Sequence, residues 1–465
     1  MSNVTVIGAG YVGLTTAACL AHLGHKVVCC DIDPNRISML EQGKIPIVED
    51  GLEELVLSGI GSGQLSFVLG ARHATSGSEV VFLCVPTPQR QDGSADMSYI
   101  VEAVNEIAEN LDPGTVVVNK STVPVGSTTV VESTLNRPDV LVVSNPEFLR
   151  EGSAVHDFLH PERIVIGSDD QGAAIRVATL YSKINAPLVT TDPSSAETIK
   201  YASNAFLATK ISFINAVANL CEAVGADVRD VILGMGYDSR IGFEFLKPGP
   251  GWGGSCFPKD TRALINIAED GGYDFKLLKG VLSANDEQKE IVTSKIIELF
   301  GSDESASGHV AVLGLTFKAN TDDLRESPAV GIVTKLLEAQ IRVVAYDPTV
   351  LPTSTDRFDG KSDLAYDKSA SSNANDMSSA FRIEQSRTEK IQELIDKGLE
   401  IASDPYAACD GSRVLAILTE WDQFKWLDYG KIADSMTKRA IFDGRNLLEP
   451  SQLRRLGFTY RGIGR

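Results

Sequence analysis

The stretch of this sequence best suited to chemistry is residues 248–260, PGPGWGGSCFPKD, where glycine and proline dominate the positions before Cys256. Glycine adopts backbone conformations that other residues avoid and leaves amides open to a ligand, so the stretch predicts a shaped loop. Lys259 follows three residues later, and a nearby ammonium favours the nucleophilic thiolate. Asp260 adds a base or an orienting carboxylate. A free cysteine is usually a small buried apolar residue, but these neighbours make Cys256 a candidate nucleophile.

Length and composition bound the class of protein. A chain of 465 residues with 43% hydrophobic residues should form two or three domains. A formal net charge of −19 argues against a nucleic-acid partner, because phosphate backbones are bound by clustered Lys and Arg. Seven irregularly spaced cysteines make no disulfide framework. We expect a cytoplasmic protein with no signal peptide, no membrane helix and no metal site.

The amino-terminal residues 3–31 predict a dinucleotide site. A β-branched run leads into Gly8-Ala-Gly10-Tyr11-Val12-Gly13, then a small-residue helix, a second strand and Asp31. In this pattern the glycines permit a tight turn and close approach of a pyrophosphate, and the acid accepts from the ribose hydroxyls. A carboxylate at that point would repel a 2′-phosphate, so NAD is favoured over NADP.

Three further predicted strands end in polar residues, and in open α/β sheets ligands lie at the carboxyl ends of strands. The strand at 79–85 is followed by Pro86 and Thr87, that at 115–119 by residues 120–124, and that at 140–143 by residues 144–152. Glu147 and Glu151 are four residues apart, so a helical turn would put both carboxylates on one face, where each raises the pKa of the other. A solvated helix face is the equally weighted alternative.

From Pro193 the apolar spacing predicts a helix of about 30 residues, capped by Ser194 or Ser195. At 1.5 Å per residue it would span about 45 Å, long enough to connect two domains and to carry a subunit interface. Lys200 and Asn204 would lie on one face, a pairing suited to stabilising an oxyanion. A surface lysine and a chance asparagine are the simpler explanation when this segment is taken alone.

The opening pattern recurs at residues 308–347, but two of the three glycines are missing and Lys318 occupies the turn. Arg445 follows a later strand, where it suits a ligand clamp. We therefore predict an α/β protein with two Rossmann-like doubly wound domains joined by a long central helix. The predicted parts are an NAD-binding domain at 1–194, a helical and catalytic-loop domain at 195–300, and a second Rossmann-like domain at 301–465 that suits a nucleotide-like ligand and carries a mobile polar insertion near 352–386.

Six motifs in order resemble the UDP-glucose 6-dehydrogenase family, which belongs to the nucleotide-sugar dehydrogenases. They are residues 8–14, residues 144–152, Lys200 with Asn204, residues 238–242, residues 253–260 and residues 442–445. The resemblance covers the chain except the 352–386 region. The sequence departs from the family pattern at two positions, Val48 and Asp50, where the family commonly has an aromatic residue and a proline, respectively.

The resemblance implies oxidation of a sugar alcohol to a carboxylate with two NAD, Cys256 holding first a thiohemiacetal and then a thioester. Lys200 and Asn204 would stabilise the oxyanion, with Asp260, Glu151 and Thr122 managing protons and water. The implied cofactor-binding residues are Gly8, Gly10, Tyr11, Val12, Gly13, Asp31, Arg36, Pro86, Thr87, Thr122, Glu151, Lys259 and Arg325. The implied substrate-binding residues are Glu147, Phe148, Leu149, Arg150, Glu151, Lys200, Asn204, Arg240, Phe245, Leu246, Lys247, Gly253, Phe257, Lys318 and Arg445. Arg240 would come from a partner in a homodimer or higher homo-oligomer.

Three alternatives remain open at this point. The same chemistry could act on GDP-mannose or a UDP-N-acetylhexosamine. A two-electron alcohol dehydrogenase would have no use for Cys256. A catalytically silent nucleotide-binding protein could use the same scaffold, because a fold does not imply a function.

Overall fold

The structure is a computed structural model that describes residues 1–90, 93–301, 307–350 and 379–465, with the side chains of 379–386 excluded. The chain divides into two compact units. The first consists mainly of Met1–Ala205 and Lys259–Phe275. The second consists of Phe206–Pro258, residues 276–350 and the chain from Glu384 to Arg465.

The first unit is built on an eight-stranded sheet in the order β3-β2-β1-β4-β5-β6-β7-β8. All neighbouring strands are parallel except β6 and β7. Its first six strands have the 3-2-1-4-5-6 order of a dinucleotide-binding fold. The strands are β1 (Asn3–Ile7), β2 (Lys26–Asp31), β3 (Leu65–Leu69), β4 (Val80–Leu83), β5 (Val116–Asn119), β6 (Leu141–Ser144), β7 (Ile164–Gly167) and β8 (Leu188–Thr191).

Helices cover both faces of this sheet. Val80 and Phe82 of β4 pack in one apolar cluster, while Val81 and Leu83 pack in another, because successive strand residues point to opposite faces. Fully buried strands of this kind are near-continuous apolar runs. The helices are α1 (Tyr11–His22), α2 (Pro34–Glu41), α3 (Leu52–Gly61), α4 (Ser98–Ile107), α5 (Ser127–Leu135), α6 (Ala154–Leu159) and α7 (Gln171–Leu180).

Helix α8 (Pro193–Val224) carries the chain from the first unit into the second. It begins after Asp192, whose carboxylate accepts the Ser195 backbone amide at 2.8 Å. The predicted capping by Ser194 or Ser195 is therefore wrong, because the chain enters the helix at Pro193, a residue favoured at the first helical position. Among the described residues α8 is the one helix long and apolar enough to cross a membrane, with a third of its most apolar window buried. By length and composition alone this is weak evidence of a span.

The second unit contains a six-stranded parallel sheet in the order β11-β10-β9-β12-β13-β14. Its strands are β9 (Val310–Leu313), β10 (Val343–Tyr346), β11 (Leu399–Ile401), β12 (Val414–Ile417), β13 (Ala440–Asp443) and β14 (Thr459–Gly462). Its order repeats the 3-2-1-4-5-6 arrangement of the first unit.

The remaining helices follow α8 in the chain. They are α9 (Val228–Gly236), α10 (Phe257–Asp270), α11 (Lys276–Phe300), α12 (Pro328–Glu338), α13 (Ser379–Asp396), α14 (Pro405–Cys409), α15 (Tyr429–Ser435) and α16 (Pro450–Arg455), with a 3₁₀ helix at Asp422–Trp426. The two parallel-sheet units and the long central helix confirm the predicted fold class. The predicted polar insertion near 352–386 falls outside the described residues, apart from the backbone at the start of α13.

Candidate active site

The turn between β1 and α1 accepts only glycine at two positions. Gly8 has a φ of +97°, and a Cβ there would lie 2.6 Å from the Cys84 carbonyl oxygen. A Cβ on Gly13 would lie 1.8 Å from the Gly8 carbonyl oxygen. Gly10 precedes the helix and no side chain caps it, which leaves the helix amino terminus suited to a phosphate group. These residues fit the pyrophosphate of a bound dinucleotide.

Asp31 ends β2 beside this turn. Its carboxylate accepts the Ala9 amide at 2.8 Å and pairs with Arg36 at 2.9 Å. Both side chains are buried. A carboxylate has about four acceptor positions, so these contacts orient Asp31 and leave capacity for a ribose hydroxyl. Arg36 is close enough to offset part of the negative charge there.

Hydrogen bonds join the loops that follow strands β4 and β5, which form a rim at the carboxyl edge of the sheet. The Thr87 hydroxyl donates to the Thr122 carbonyl at 2.8 Å, and the Ser121 hydroxyl donates to the Val85 carbonyl at 2.7 Å. Pro86 is exposed, and Thr87 and Thr122 are half-buried. Behind the rim, the buried Glu197 of α8 accepts the Gly126 and Thr128 amides at 2.6 and 3.0 Å. The loop that carries Thr122 is thereby fixed to the central helix.

Glu147 and Lys200 form a buried ion pair in which the ammonium donates to the carboxylate and to the Glu147 carbonyl, both at 2.7 Å. Residues 145–150 are not helical, so the expected shared helical face for Glu147 and Glu151 is wrong. The expected rise in pKa is also wrong for Glu147. Burial acts to raise the pKa of this carboxyl, but Lys200, together with the Leu149 amide and Lys120, holds the pKa below its usual range. The pairing with a cation, which the sequence spacing does not show, decides the sign.

Lys120 is buried close enough to this pair to feel the charges of Glu147 and Lys200. Its ammonium donates to the Asn145 amide oxygen at 3.1 Å and to the Tyr181 hydroxyl at 3.3 Å. Burial lowers the pKa of Lys120 to about 8, against the favourable effects of Cys84 and Glu147. The sequence shows Lys120 only as a polar residue after a strand, so its burial could not be anticipated.

Asn204 and Asp260 meet through a hydrogen bond of 2.6 Å from the amide nitrogen to the carboxylate. The other carboxylate oxygen accepts the Lys259 ammonium at 2.7 Å. Asp260 is completely buried, so this carboxylate depends on its two donors. The predicted one-face placement of Lys200 and Asn204 on α8 is confirmed by the helix, and each side chain contacts an acid, Glu147 and Asp260 respectively.

Cys256 is half-buried, whereas the other six cysteines are buried. It directly precedes the first residue of α10. A thiolate at a helix amino terminus is favoured by the helix dipole. Ser255 Oγ lies 3.5 Å from the sulfur. Exposure and placement therefore separate this cysteine from the structural ones.

The glycines before Cys256 serve close packing within the second unit. A Cβ on Gly253 would lie 2.0 Å from the Glu326 carbonyl oxygen, and the Gly254 amide donates to the Arg325 carbonyl at 2.9 Å. Asparagine side chains on two helices anchor the loop. The Gly249 backbone amide donates to the Asn215 side-chain oxygen at 2.8 Å, and the Trp252 backbone amide donates to that of Asn285 at 2.9 Å. The loop shape is therefore set by close backbone packing at the glycines and by hydrogen bonds to Asn215 and Asn285.

Phe245 has a φ of +62°, a conformation unfavourable for a bulky side chain. Its ring centroid lies 6.2 Å from that of Phe257. Strained residues persist where the surrounding structure holds them and are concentrated at ligand sites. The strained backbone of Phe245 agrees with its predicted place in the substrate site.

Several other predicted site residues have partners of their own. Arg445 contacts the Leu418 carbonyl at 2.8 Å and Glu420 at 3.0 Å, and Arg325 pairs with Asp323 at 2.7 Å. Arg240 is exposed and pairs with Asp238. Leu246 and Gly253 are buried, Phe257 and Lys318 are half-buried, and Lys247 is exposed.

The second β-α-β unit differs from the first where its helix begins. Ser327 precedes α12 and its side chain caps the helix, accepting the Val330 amide. Asp347, the counterpart of Asp31 in the pattern, is fully buried and accepts the Leu315 and Thr316 amides at 2.7 and 3.1 Å. The amino end of α12 therefore carries a side-chain cap, which the amino end of α1 lacks.

Arg163 contacts the predicted substrate residue Phe148, although the sequence alone did not indicate a role for it. Its guanidinium stacks over the Phe148 ring at 3.6 Å from the centroid, and Lys200 lies over the same ring at 5.5 Å. No motif surrounds Arg163 in the sequence, so only the folded chain shows that it orients Phe148. Leu149 is half-buried and its amide donates to Glu147 at 2.6 Å.

Comparison with known proteins gives three adjacent family matches. They are the UDP-glucose/GDP-mannose dehydrogenase family NAD binding domain at residues 2–185, the central domain of that family at 194–287 and its UDP binding domain at 311–450. A UDP-glucose 6-dehydrogenase of Rhizobium meliloti (strain 1021) is 45% identical, covering 100% of this chain and 99% of the relative.

Solved structures are similar over the same length. A UDP-glucose dehydrogenase from Pyrobaculum islandicum is 36% identical with a TM-score of 0.83, covering 100% of this chain and 98% of the other. A UDP-D-ManNAc dehydrogenase from Pyrococcus horikoshii is 26% identical with a TM-score of 0.80, and the match covers 100% of this chain and 99% of the other.

Proposed function

Since this chain belongs to the UDP-glucose/GDP-mannose dehydrogenase family of NAD-dependent nucleotide-sugar dehydrogenases, we propose that it oxidises UDP-glucose to UDP-glucuronate. The observation that carries the proposal is the half-buried Cys256 directly before α10, the one cysteine of seven that is not buried. One sugar would consume two NAD and one water, because a primary alcohol loses four electrons to become a carboxylate.

Cys256 acts in this proposal as the nucleophile. The alcohol is first oxidised to an aldehyde, and the thiolate adds to the aldehyde carbon to form a thiohemiacetal. Loss of a second hydride gives a thioester, which water hydrolyses to the carboxylate, with the thiol as leaving group. When bound, NAD supplies the hydride acceptor. Covalent capture retains an aldehyde that would otherwise react elsewhere.

The remaining roles follow from the contacts of each side chain. Lys200 holds its ammonium against the Glu147 carboxylate and carbonyl, so it is a preorganised cation for a developing oxyanion. Asn204 is oriented by Asp260, and we assign Asp260, Glu151 and Thr122 to handling protons and water. The turn at 8–13, with Asp31 and Arg36, holds the dinucleotide.

We propose UDP-glucose as the substrate, rather than another sugar nucleotide, because of the relatives that this chain matches. The identities of 45% and 36% are to proteins named for UDP-glucose, and that to the UDP-D-ManNAc enzyme is 26%. The alternative is the same oxidation of a UDP-N-acetylhexosamine, supported by that structure's TM-score of 0.80. The two differ by an acetamido group, so pocket shape decides between them.

We also propose that the protein is a homodimer. Phe206, Phe213 and Leu220 follow at intervals of seven along α8 and are 64%, 54% and 59% exposed. Apolar residues at this spacing lie along one side of a helix and are typical of helix pairing. The Lys210 ammonium donates to the Ile241 carbonyl at 3.2 Å, so the loop that carries the exposed Arg240 adjoins this face. A second copy would cover the face and receive Arg240.

The pairing of copies also accounts for the apolar character of α8 without a membrane, and we propose a cytoplasmic enzyme. Its proposed parts are the cofactor domain at 1–194, the helical domain at 195–300 and the sugar-nucleotide domain at 301–465.

The decisive experiment counts NADH formed per sugar with limiting UDP-glucose, GDP-mannose or UDP-N-acetylhexosamine. Two NADH per UDP-glucose is the expected result. One NADH would indicate a simple alcohol dehydrogenase, and none with any sugar nucleotide would indicate a silent binding protein. Two NADH with an acetamido sugar alone would transfer the proposal to that substrate.

A further inference from the structure

We propose that Glu49 is a positioning residue that holds the cofactor turn and the loop at 147–154 in register, an inference that rests on the proposed function. Glu49 is half-buried in the irregular segment between α2 and α3. One carboxylate oxygen accepts the Ala154 amide at 2.6 Å. The other accepts the Gly152 amide at 2.8 Å and the Tyr11 hydroxyl at 2.5 Å. We call these four residues the Glu49 bridge.

The Glu49 bridge connects segments far apart in the chain. Tyr11 is 38 residues from Glu49, and Gly152 and Ala154 are 103 and 105 residues from it. Tyr11 is the first residue of α1 and lies within the glycine turn, while Gly152 adjoins Glu151. A single carboxylate thus fixes the distance between the turn and the end of the loop.

The other end of the loop is fixed by the buried Glu147 and Lys200 pair. A loop held at both ends keeps Phe148 to Glu151 in place between the Glu147–Lys200 ion pair and the hydrogen bonds of the Glu49 bridge. Loss of the Glu49 bridge would loosen this end only, since Arg150 still donates to Asp157 through its amide and its guanidinium. A displacement of about 1 Å at a substrate loop is enough to cost about 10²-fold in rate.

Tyr11 is suited to its part in the Glu49 bridge. Burial, followed by the neighbouring Glu49, raises the pKa of the phenol far above its usual range, so it remains a donor. The same hydroxyl lies 2.9 Å from the Arg150 carbonyl. One phenol proton serves two acceptors here, so the hydroxyl touches the loop directly as well as through Glu49.

A capping role alone does not account for these contacts. Helix α6 begins at Ala154, and Ser153 before it makes no capping hydrogen bond, so Glu49 does satisfy an amide of this helix. A carboxylate that only capped α6 would need to accept only the Ala154 and Gly152 amides. Glu49 also accepts the hydroxyl of Tyr11, which belongs to the cofactor turn. The prediction that separates the two roles is therefore a change in ligand binding that depends on Tyr11.

The test compares full-length Glu49→Ala, Glu49→Gln, Tyr11→Phe and the double variant Tyr11→Phe/Glu49→Ala. We expect Glu49→Ala to raise both the KM for UDP-glucose and the Kd for NAD about ten-fold, the effect of removing hydrogen bonds to a charged group. Glu49→Gln keeps an acceptor for one amide and should recover part of the loss. The exposed Glu53 supplies the matched control, and Glu53→Ala should leave both constants unchanged.

The double variant gives the sharper result. If Tyr11 and Glu49 act through their shared contact, their effects on the Kd for NAD are less than additive, and the double variant should be weaker than Glu49→Ala by less than the effect of Tyr11→Phe alone. Additive effects, or unchanged NAD and UDP-glucose constants in Glu49→Ala, would overturn the proposal. If Glu49→Ala does not fold, Tyr11→Phe alone decides it, since an unchanged NAD Kd and UDP-glucose KM would refute the bridge. A wild-type protein that does not oxidise UDP-glucose would overturn the proposed function, and NAD titration would still decide the role of Glu49.

Discussion

The Lys200 ammonium lies 2.7 Å from a carboxylate oxygen of Glu147, in a pair whose two side chains are both almost completely buried. Burying two charges is unfavourable unless they pair and the remaining donors and acceptors are satisfied. Here the Glu147 carbonyl and the Leu149 amide complete the set. The pair therefore links the central helix to the loop at 147–151.

We predict that Lys200→Met destabilises the protein by about 3–5 kcal/mol, because it leaves the buried Glu147 charge without its paired cation. The double variant Glu147→Gln/Lys200→Met should recover most of that loss. Urea unfolding measures both. Asp139→Asn, at the exposed pair of Arg137 and Asp139, is the control and should change stability little. Equal losses in the single and double variants would contradict the prediction.

Cys256→Ser should lower the turnover of UDP-glucose to UDP-glucuronate by at least about 10³-fold, since a serine hydroxyl is a far weaker nucleophile. A sugar adduct on the introduced hydroxyl should be visible by intact mass. Cys409→Ala, at a buried cysteine of the same unit, should keep two NADH per sugar. Full turnover in Cys256→Ser would refute the nucleophile assignment.

Asp31→Ser should weaken NAD binding by about 10–100-fold, the cost of losing a charged hydrogen-bond partner. It should also improve NADP binding, because it removes the charge that repels a 2′-phosphate and releases Arg36 from its 2.9 Å pair with Asp31. Titration with both dinucleotides tests this. Asp33→Ser retains a helix-capping side chain and is the matched control. Unchanged affinity for NAD in Asp31→Ser would remove Asp31 from the cofactor site.

Lys120 makes the free energy of unfolding of this protein depend on pH in the alkaline range. Burial lowers its pKa to about 8 in the folded protein, while the unfolded chain stays protonated to about 10.4. Between these values the folded state binds fewer protons, so stability rises with pH, by at most roughly 1.4 kcal/mol per pH unit. Cys84 and Glu147 favour the ammonium and Lys200 opposes it.

Urea unfolding from pH 7.5 to 10 measures this effect as the difference between wild type and Lys120→Met. The difference should move in favour of wild type as the pH rises through about 8. The exposed Lys183 provides the control, and Lys183→Met should show a constant difference. A constant difference for Lys120→Met as well would contradict the assignment.

Phe213→Glu should convert the proposed dimer to monomers, because a charge in the middle of the apolar face of α8 cannot be buried without a partner. Light scattering after size exclusion gives the mass. Ile175→Glu places the same charge at another exposed apolar residue, on α7, and should leave the mass unchanged. A monomeric wild-type protein, or an unchanged dimer in Phe213→Glu, would refute the interface.

The sequence alone determined the parts of this protein that depend on local pattern. The glycine turn at 8–13, the acid at Asp31 and the alternation of strands with helices predicted the parallel-sheet fold, because turn geometry and burial impose these residue types on short segments. The long helix from Pro193 was predicted for the same reason. Within it, Lys200 and Asn204 could be placed on one face, since four residues make about one turn.

Only the tertiary structure decided which of these side chains meet. Glu147 was expected to repel Glu151, but it pairs with Lys200, 53 residues away, and the sign of its pKa shift reversed. Glu49, Lys120 and Arg163 carry no motif, and their contacts lie between segments remote in the chain. Spacing along a sequence fixes neighbours on one helix or strand, whereas the partner of a buried charge depends on how separate elements pack, and that partner sets its electrostatics.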